Sequence, residues 1–315
     1  MSRLRTAVVG AGYLGRFHAQ KYAAHPDCEL IAVVDTDRER AQAVAAEVGC
    51  AAWTDCTRLA DAVDAASIVT PTRLHHALAR PLLDAGLHLL IEKPITANLA
   101  EADALLEAAR RGGGVLQVGH LERFNPAMVE AAREIDRPRF IESHRIAPFN
   151  PRGADVSVVL DLMIHDIDLI LELVAAPLEQ LDASGAAVIS EDIDIANARL
   201  RFADGCIANV TASRVSPKAE RRLRVFQANA YFALDLQAGT LDIQRRRPNA
   251  DGPPTMEQIT REQRAPGRSD ALADEIAAFI HAVRTATPPV VSGTDGRRAL
   301  AAAIEIGRQL DRNPL

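Results

Sequence analysis

Three clusters in this chain bring together side chains that can do chemistry. In the apolar stretch HLLIEKPIT, His88 to Thr96, the sequence turns to Glu92-Lys93-Pro94. Charges are rare in such a run, and proline breaks a strand's hydrogen-bond ladder. Lysine is also scarce, since Lys21, Lys93 and Lys218 stand against 33 arginines. The arginine bias reads as base composition and carries no functional weight. An ammonium, unlike a guanidinium, can give up its proton near neutral pH, so Lys93 is a candidate for acid–base work or for stabilising an alkoxide.

The second cluster is VVLDLMIHDIDLIL. Asp161 and His165 are four apart and share one helix face, with Asp168 three further on. Their neighbours Leu162, Met163, Ile164 and Ile167 are apolar, which predicts a largely buried helix with a polar stripe. Such a stripe costs free energy unless it is paired or used. A histidine steadied by a carboxylate suits a general base. Asp161, His165 and Asp168 as metal ligands is a weaker reading, because no oxygen- or sulfur-rich remainder accompanies them, and no metal is expected. A purely structural polar network is the other alternative.

The third cluster is VVGAGYLGRFHA, with Gly10-x-Gly12-x-x-Gly15 between a strand pattern and a helix pattern. Gly10 permits a tight turn, Gly12 lets backbone approach a pyrophosphate, and Gly15 lets helix and strand pack closely. The phosphates then meet unpaired amides at the helix N-terminus, beside Tyr13 and Leu14. Asp35 follows Gly15 by twenty residues, at the end of the second strand run, with Thr36 next to it. An aspartate there accepts from both ribose hydroxyls of NAD and repels a 2′-phosphate, although Arg38 lies close by. Thr70-Pro71-Thr72 ends a third strand run on the same side, with Thr72 expected to cap the next helix and His75 close to the cofactor. The expected cofactor is NAD, held by Gly10, Gly12, Tyr13, Leu14, Gly15, Asp35, Thr36, Thr70, Pro71, Thr72, His75, Glu92 and Lys93.

The elements that must position these groups follow from the periodicity. Strand runs at Leu4–Val9, Leu30–Asp35, Ala66–Thr70, Leu87–Ile91 and Val115–Val118 alternate with helical patterns up to Arg111. Runs apolar on both faces with helices between them predict a doubly wound parallel sheet, the α/β Rossmann class. After a helix at Asn125–Ile135 the pattern changes to a strand at Arg139–Ile146, one long helix at Ser157–Val174, and alternating strands from Gln180 to Ile243. These predict a C-terminal α+β domain on an open, mainly antiparallel sheet; Asp204-Gly205 is a hairpin signal. Residues 247–268 and the run Arg245–Pro248 read as surface loop, and two final helices close the chain, the second capped by Thr294. The expected domains are 1–122 for NAD and 123–315 for substrate and oligomerisation, with the last helices able to pack back on the first domain.

The 315 residues carry a net charge of −6, which argues against a nucleic-acid partner. No apolar run approaches the ~18 residues that would span a bilayer. The N-terminus enters a strand without a signal-peptide pattern, and Cys28, Cys50, Cys56 and Cys206 form no CxxC. A cytoplasmic protein with reduced thiols is expected. An uncovered apolar face on the antiparallel sheet is expected to drive assembly into a homodimer or homotetramer.

The combination GAGYLG, Asp35, TPT with a following histidine, EKP and D-x-x-x-H-D-x-D resembles the Gfo/Idh/MocA oxidoreductases over essentially the whole chain. Met163 stands where that family often has glycine. The resemblance implies oxidation of a sugar or polyol hydroxyl with a nicotinamide cofactor, through Lys93, Asp161 and His165. GHLERFNPAM and SHRIAPFNPRGADVSVVLDLMIHDIDLIL resemble, more narrowly, the UDP-N-acetylglucosamine 3-dehydrogenase branch linked to 3-amino sugars of lipid A. This implies a UDP-sugar substrate oxidised at C3, with an aminotransferase as functional partner. Arg123, Asn125, Arg145, Asn150 and Arg152, together with Lys93 and His165, are the expected substrate contacts, arginine's fork being suited to a pyrophosphate. The alternatives are an NAD(P)-dependent dehydrogenase of a free sugar or inositol, and an NAD-binding regulator without turnover. Whether His165 or Lys93 takes the hydroxyl proton is open at this level.

Overall fold

A computed structural model describes residues 2–150, 157–247, 255–267 and 269–312. The chain divides into two units, Met1–Leu121 with Asp270–Leu300, and Glu122–Ser269 with Ala301–Leu315. In the first lie β1 (Leu4–Val9), α1 (Tyr13–Ala24), β2 (Cys28–Val34), α2 (Arg38–Val48), β3 (Ala51–Trp53), α3 (Leu59–Ala62), β4 (Ala65–Ile68), α4 (His75–Asp84), β5 (His88–Glu92), α5 (Leu99–Gly112) and β6 (Leu116–Gly119). The six strands form one sheet in the order β3-β2-β1-β4-β5-β6. All are parallel. Ala7, Val8, Ala66, Leu89 and Leu90 are fully buried, as strands covered on both faces require. The strand order reverses between β1 and β4, which places the ligand crevice at their C-terminal ends. Two expectations need correction here. β5 runs one residue further than expected, through Glu92, and Thr72 opens a 3₁₀ turn without a side-chain cap.

The second unit contains α6 (Pro126–Ala132), β7 (Phe140–Ile146), α7 (Ile164–Val174), β8 (Leu178–Ala186), β9 (Ile195–Phe202), β10 (Ile207–Ser213), β11 (Glu220–Gln227), β12 (Ala230–Asp235), β13 (Thr240–Arg246) and β14 (Ile259–Arg264). Its sheet has the order β14-β13-β12-β11-β7-β10-β9-β8. Every neighbouring pair is antiparallel except β7 and β10. The predicted loop is therefore partly strand, since Arg245 and Arg246 end β13 and pair with β14. The single long helix is also corrected, because Val159–Met163 is a π turn that leads into α7.

One face of this sheet buries Ile141, Leu200, Val210, Leu223 and Phe232. The other carries Glu142, His144, Asn197, Arg199, Asn209, Thr211, Arg224 and Asp242, so the expected apolar face is instead polar. Helix α7 packs on β7 and β10. It is tied there by buried charges. Arg145 donates through Nε to Asp166 at 2.5 Å and through Nη1 to Glu122 at 2.8 Å. Ser143 adds a bond to Asp166 at 2.7 Å.

Two helices follow, α8 (Ala271–Thr285) and α9 (Gly293–Arg312). Asp270 caps α8 by accepting from the Ala273 amide. Ser292, not Thr294, caps α9, because its hydroxyl accepts from the Asp295 amide while Asp295 accepts from the Ser292 amide. In the first unit, Ile276, Phe279 and Ile280 of α8 share one buried cluster with Ala19 and Tyr22 of α1 and Val8 of β1.

Asp166 supplies a measurable anchor. Asp166→Asn leaves Arg145 buried with only part of its charge answered, and unfolding in urea is expected to show a loss of about 3 kcal/mol. The Asp166→Leu/Arg145→Met pair is expected to lose less than the sum of its single changes, since both charges go together and Glu122 keeps Arg221 at 3.4 Å.

Candidate active site

The turn after β1 is shaped by steric necessity. Gly10 has φ +103°, and a side chain there would stand 2.2 Å from the Val69 carbonyl oxygen. A side chain at Gly15 would stand 1.8 Å from the Gly10 carbonyl oxygen. At Gly12, by contrast, a Cβ would meet nothing within 4 Å. The turn is closed on two sides and open on the third, which leaves backbone accessible there as a pyrophosphate-binding turn requires. Tyr13 and Leu14, 80% and 44% exposed, begin α1 beside this opening.

Asp35 ends the approach from β2. Its Oδ2 accepts from the Ala11 amide at 2.8 Å and its Oδ1 from the Asp37 amide at 2.9 Å. The arginine beside this carboxylate is Arg40, 3.8 Å away. Thr36 is exposed next to it. Two residues beyond β4, Thr70 has a buried hydroxyl oxygen with no hydrogen-bond partner among the described residues, and Pro71 and Thr72 follow. An open glycine cradle, a fixed ribose-side carboxylate and an orphaned hydroxyl together fit a dinucleotide.

The side chain of His75 lies between the loop after β4 and the loop after β5. It is buried, with Nε2 2.8 Å from the Thr70 carbonyl oxygen and Nδ1 3.0 Å from that of Pro94. It pins the loop after β4 to the loop after β5, and so acts on the cofactor end through these two backbones.

Lys93 is half-buried at the end of β5 and its peptide bond to Pro94 is cis. Its amide donates to Glu92 Oε2 at 3.3 Å, while Glu92 Oε1 lies 3.0 Å from His18 Nε2. Burial alone would raise the Glu92 carboxyl. The His18 hydrogen bond and the nearby positive charges outweigh it and hold the group below the usual carboxylate range. Gly119, opposite Glu92 across the ladder, makes the space, because a Cβ there would stand 3.0 Å from the carboxyl atoms.

In the second unit, Asp161 lies on the π turn and His165 on the first turn of α7, both half-buried. Single π turns recur at functional sites. Asp168 does not join them. It is buried and receives Arg123 through Nε at 2.6 Å and Nη2 at 2.9 Å. Arg123 also reaches Glu172 at 2.9 Å. Arg145 is engaged as described above, and Asn125 caps α6 while its amide donates to the Leu236 carbonyl at 2.8 Å. These three expected substrate contacts thus have internal carboxylate and backbone partners. Asn150 is exposed beyond β7, and Arg152 lies outside the described residues. Among the described residues no cluster of His, Cys, Asp or Glu is arranged to hold a metal ion, and no helix is long and apolar enough to cross a membrane.

Sequence reasoning missed His18 and Glu275. His18 stands in the quoted motif three residues after Gly15, a histidine on the inward face of α1. Glu275 stands among Leu272, Ile276 and Phe279 on the apolar face of α8, where an acid is out of pattern.

Sheet order, glycine turn and ribose-side aspartate define an NAD-binding oxidoreductase of two-unit build. Residues 4–120 match the oxidoreductase family with NAD-binding Rossmann fold, and residues 126–232 match the GFO/IDH/MocA C-terminal domain. The chain belongs to the Gfo/Idh/MocA family. UDP-N-acetylglucosamine 3-dehydrogenase of Acidithiobacillus ferrooxidans is 42% identical over 308 residues, covering 97% of each chain. A solved structure of that enzyme, GnnA, aligns with a TM-score of 0.92 and 40% identity over 99% of both chains. The scyllo-inositol 2-dehydrogenase (NAD(+)) of Bacillus subtilis is 31% identical, covering 68% of each chain.

The glycines separate folding from binding. Gly12→Ala is expected to leave the unfolding free energy of the cofactor-free protein within about 0.5 kcal/mol and to weaken NAD binding tenfold or more, as read by fluorescence titration. Gly10→Ala is expected to destabilise the protein itself, by about 2 kcal/mol or more.

Proposed function

We propose that this protein oxidises the C3 hydroxyl of a UDP-N-acetylhexosamine, UDP-N-acetylglucosamine, to the 3-keto sugar nucleotide with NAD. The observation that carries this reading is the likeness to the A. ferrooxidans enzyme at 42% identity along 97% of both chains. Bound NAD would supply the hydride acceptor for the C3 hydrogen. Of the chain's own residues, His165 takes the hydroxyl proton on its imidazole, Asp161 orients that ring and steadies its charged form, and Lys93 stabilises the developing alkoxide. Substrate contacts are assigned to Lys93, His165, Asn150 and Arg152. Arg123, Asn125 and Arg145 are left to the scaffold, because their donors are engaged internally.

The product ketone is a substrate for an aminotransferase making a 3-amino sugar, which is the functional partner we propose. The setting is cytoplasmic, where the four cysteines, all without disulfides, would stay reduced. A homodimer or homotetramer is proposed on the mixed charges of the open sheet face, such as Arg224 at 3.4 Å from Glu142, a pattern that a symmetric copy can complement.

The test is incubation with NAD and a panel of UDP-sugars, with an aminotransferase or ketone trap to draw off product, while NADH absorbance is followed. UDP-N-acetylglucosamine is expected to give NADH, and free N-acetylglucosamine, scyllo-inositol and myo-inositol none. Faster turnover of an inositol would overturn the reading. Lys93→Met is expected to lower kcat by about 10²–10⁴ while NAD still binds; near-normal turnover would remove Lys93 from the chemistry.

A further inference from the structure

Glu92, the residue before Lys93, is tied to a row of polar side chains that the proposed chemistry leaves without a task. His18, Tyr22 and Ser67 are all 0% exposed, and all lie in the first unit. Glu92 Oε1 stands 3.0 Å from His18 Nε2, His18 Nδ1 3.2 Å from the Ser67 hydroxyl, and Ser67 2.9 Å from the Tyr22 hydroxyl. The other carboxylate oxygen, Oε2, accepts from the Lys93 amide at 3.3 Å. Three elements meet in this row, with His18 and Tyr22 on α1, Ser67 on β4 and Glu92 at the end of β5. Glu92 is itself enclosed, since even a Cβ at Gly119 would stand 3.0 Å from its carboxyl atoms.

The hydrogens available give the row a direction. A carboxylate only accepts, so His18 Nε2 carries a hydrogen and donates it to Glu92. Ser67 has one hydrogen to give and two neighbours. If it donates to Tyr22, His18 Nδ1 must donate to Ser67, and the Tyr22 hydrogen is left without an acceptor among the described residues. A buried donor in that position costs free energy. If Ser67 donates to Nδ1 instead, Tyr22 donates to Ser67 and every hydrogen in the row has an acceptor. The row then runs one way, from Tyr22 to Ser67 to His18 to Glu92. It needs a rigid side chain that accepts at one end and donates at the other, and an imidazole with its proton on Nε2 is that group.

We propose that His18 is a positioning residue for Lys93 that acts through Glu92, and that Ser67 and Tyr22 hold its ring as the tautomer that donates to Glu92. The row ends on a carboxylate whose second oxygen holds the Lys93 backbone amide. A change in the core of the sheet is therefore felt where the lysine leaves β5. The effect on turnover rests on the proposed dehydrogenase reaction; the row and its hold on Lys93 do not.

Two measurements on the cofactor-free protein test the row itself. With ¹⁵N-labelled histidine at pH 8, above the ordinary histidine range, His18 is expected to show a protonated Nε2 and a bare Nδ1. Its signals are identified by their absence from His18→Gln or, should that variant fold poorly, by the shift that Ser67→Ala imposes. A hydrogen on Nδ1 would overturn the direction of the row. Reductive methylation with ¹³C-formaldehyde then labels the three lysines. The Lys93 signal is expected to move in His18→Met and to return most of the way in His18→Gln, whose amide still brings a donor to Glu92. The signal of Lys218, an exposed lysine, is expected to stay in place. A Lys93 signal that does not move in His18→Met would sink the proposal.

In the kinetic arm, kcat of His18→Met is expected to fall about tenfold or more, as misplacement of a reacting group does, with KM for the UDP-sugar and Kd for NAD within about threefold. His18→Gln is expected to recover most of that loss; equal losses in the two variants would reduce His18 to a structural residue. In a Glu92→Gln background His18→Met is expected to add less than about threefold, and full additivity would remove the route through Glu92. A Lys93 signal that follows His18 in a protein that oxidises no UDP-sugar would keep the positioning role and sink the dehydrogenase reading.

Discussion

A carboxylate taken out of water must be answered by a donor or a cation, or else keep its proton. Much of this molecule is arranged around that constraint. Asp166 is answered by Arg145 and Ser143, Asp168 by Arg123, and Glu92 by His18 and the Lys93 amide. Asp194 accepts from the amides of Val188, Ile189 and Ser190 and from Arg214 Nε, which holds its carboxyl far below the usual range against the penalty of burial. Glu275 differs from this set: its carboxyl oxygens have no hydrogen-bond partner among the described residues, and burial pushes the group well above the usual range. The same rule explains why the buried arginines face carboxylates: a planar fork can satisfy two at once, as that of Arg145 does for Asp166 and Glu122.

The second constraint is steric, and it acts on the cofactor end. A parallel sheet delivers loops to one edge, and the point where its strand order reverses leaves a gap between neighbouring loops. Gly10 and Gly15 have no room for a side chain, while Gly12 has room and leaves it open. His75 then bonds the loop after β4 to the loop after β5, so that Thr70 and Lys93 are held on one frame. The loops at this edge are thus shaped by a few positions whose side chains are absent or turned inward.

Local patterns carried much of this into the sequence. The glycine turn, Asp35, the EKP corner and the alternating strands of the second sheet are visible because each is written in consecutive residues. Asp204-Gly205 marks the turn between β9 and β10, where Gly205 takes φ +88°. β3 escaped notice because it has three residues, and β14 because ITREQR is a polar, mostly exposed edge strand beside a proline- and glycine-rich stretch. The roles of Arg123 and Arg145 could not be read locally. Their partners lie 45 and 21 residues away, and an arginine in an alternating strand looks like a solvent-facing one until the opposite helix is in place. His18 is the same case, its contacts Ser67 and Glu92 lying 49 and 74 residues along the chain.

The contribution of α8 to the first unit also bears on how the protein is made. Ile276, Phe279 and Ile280 complete the buried cluster over α1, yet residues 122–269, which belong to the other unit, are synthesised before them. At ribosomal rates of about 5–20 residues per second, the nucleotide-binding half waits roughly ten seconds or more with part of its apolar layer uncovered. During that interval a nascent chain presents the hydrophobic side of α1 to whatever surrounds it.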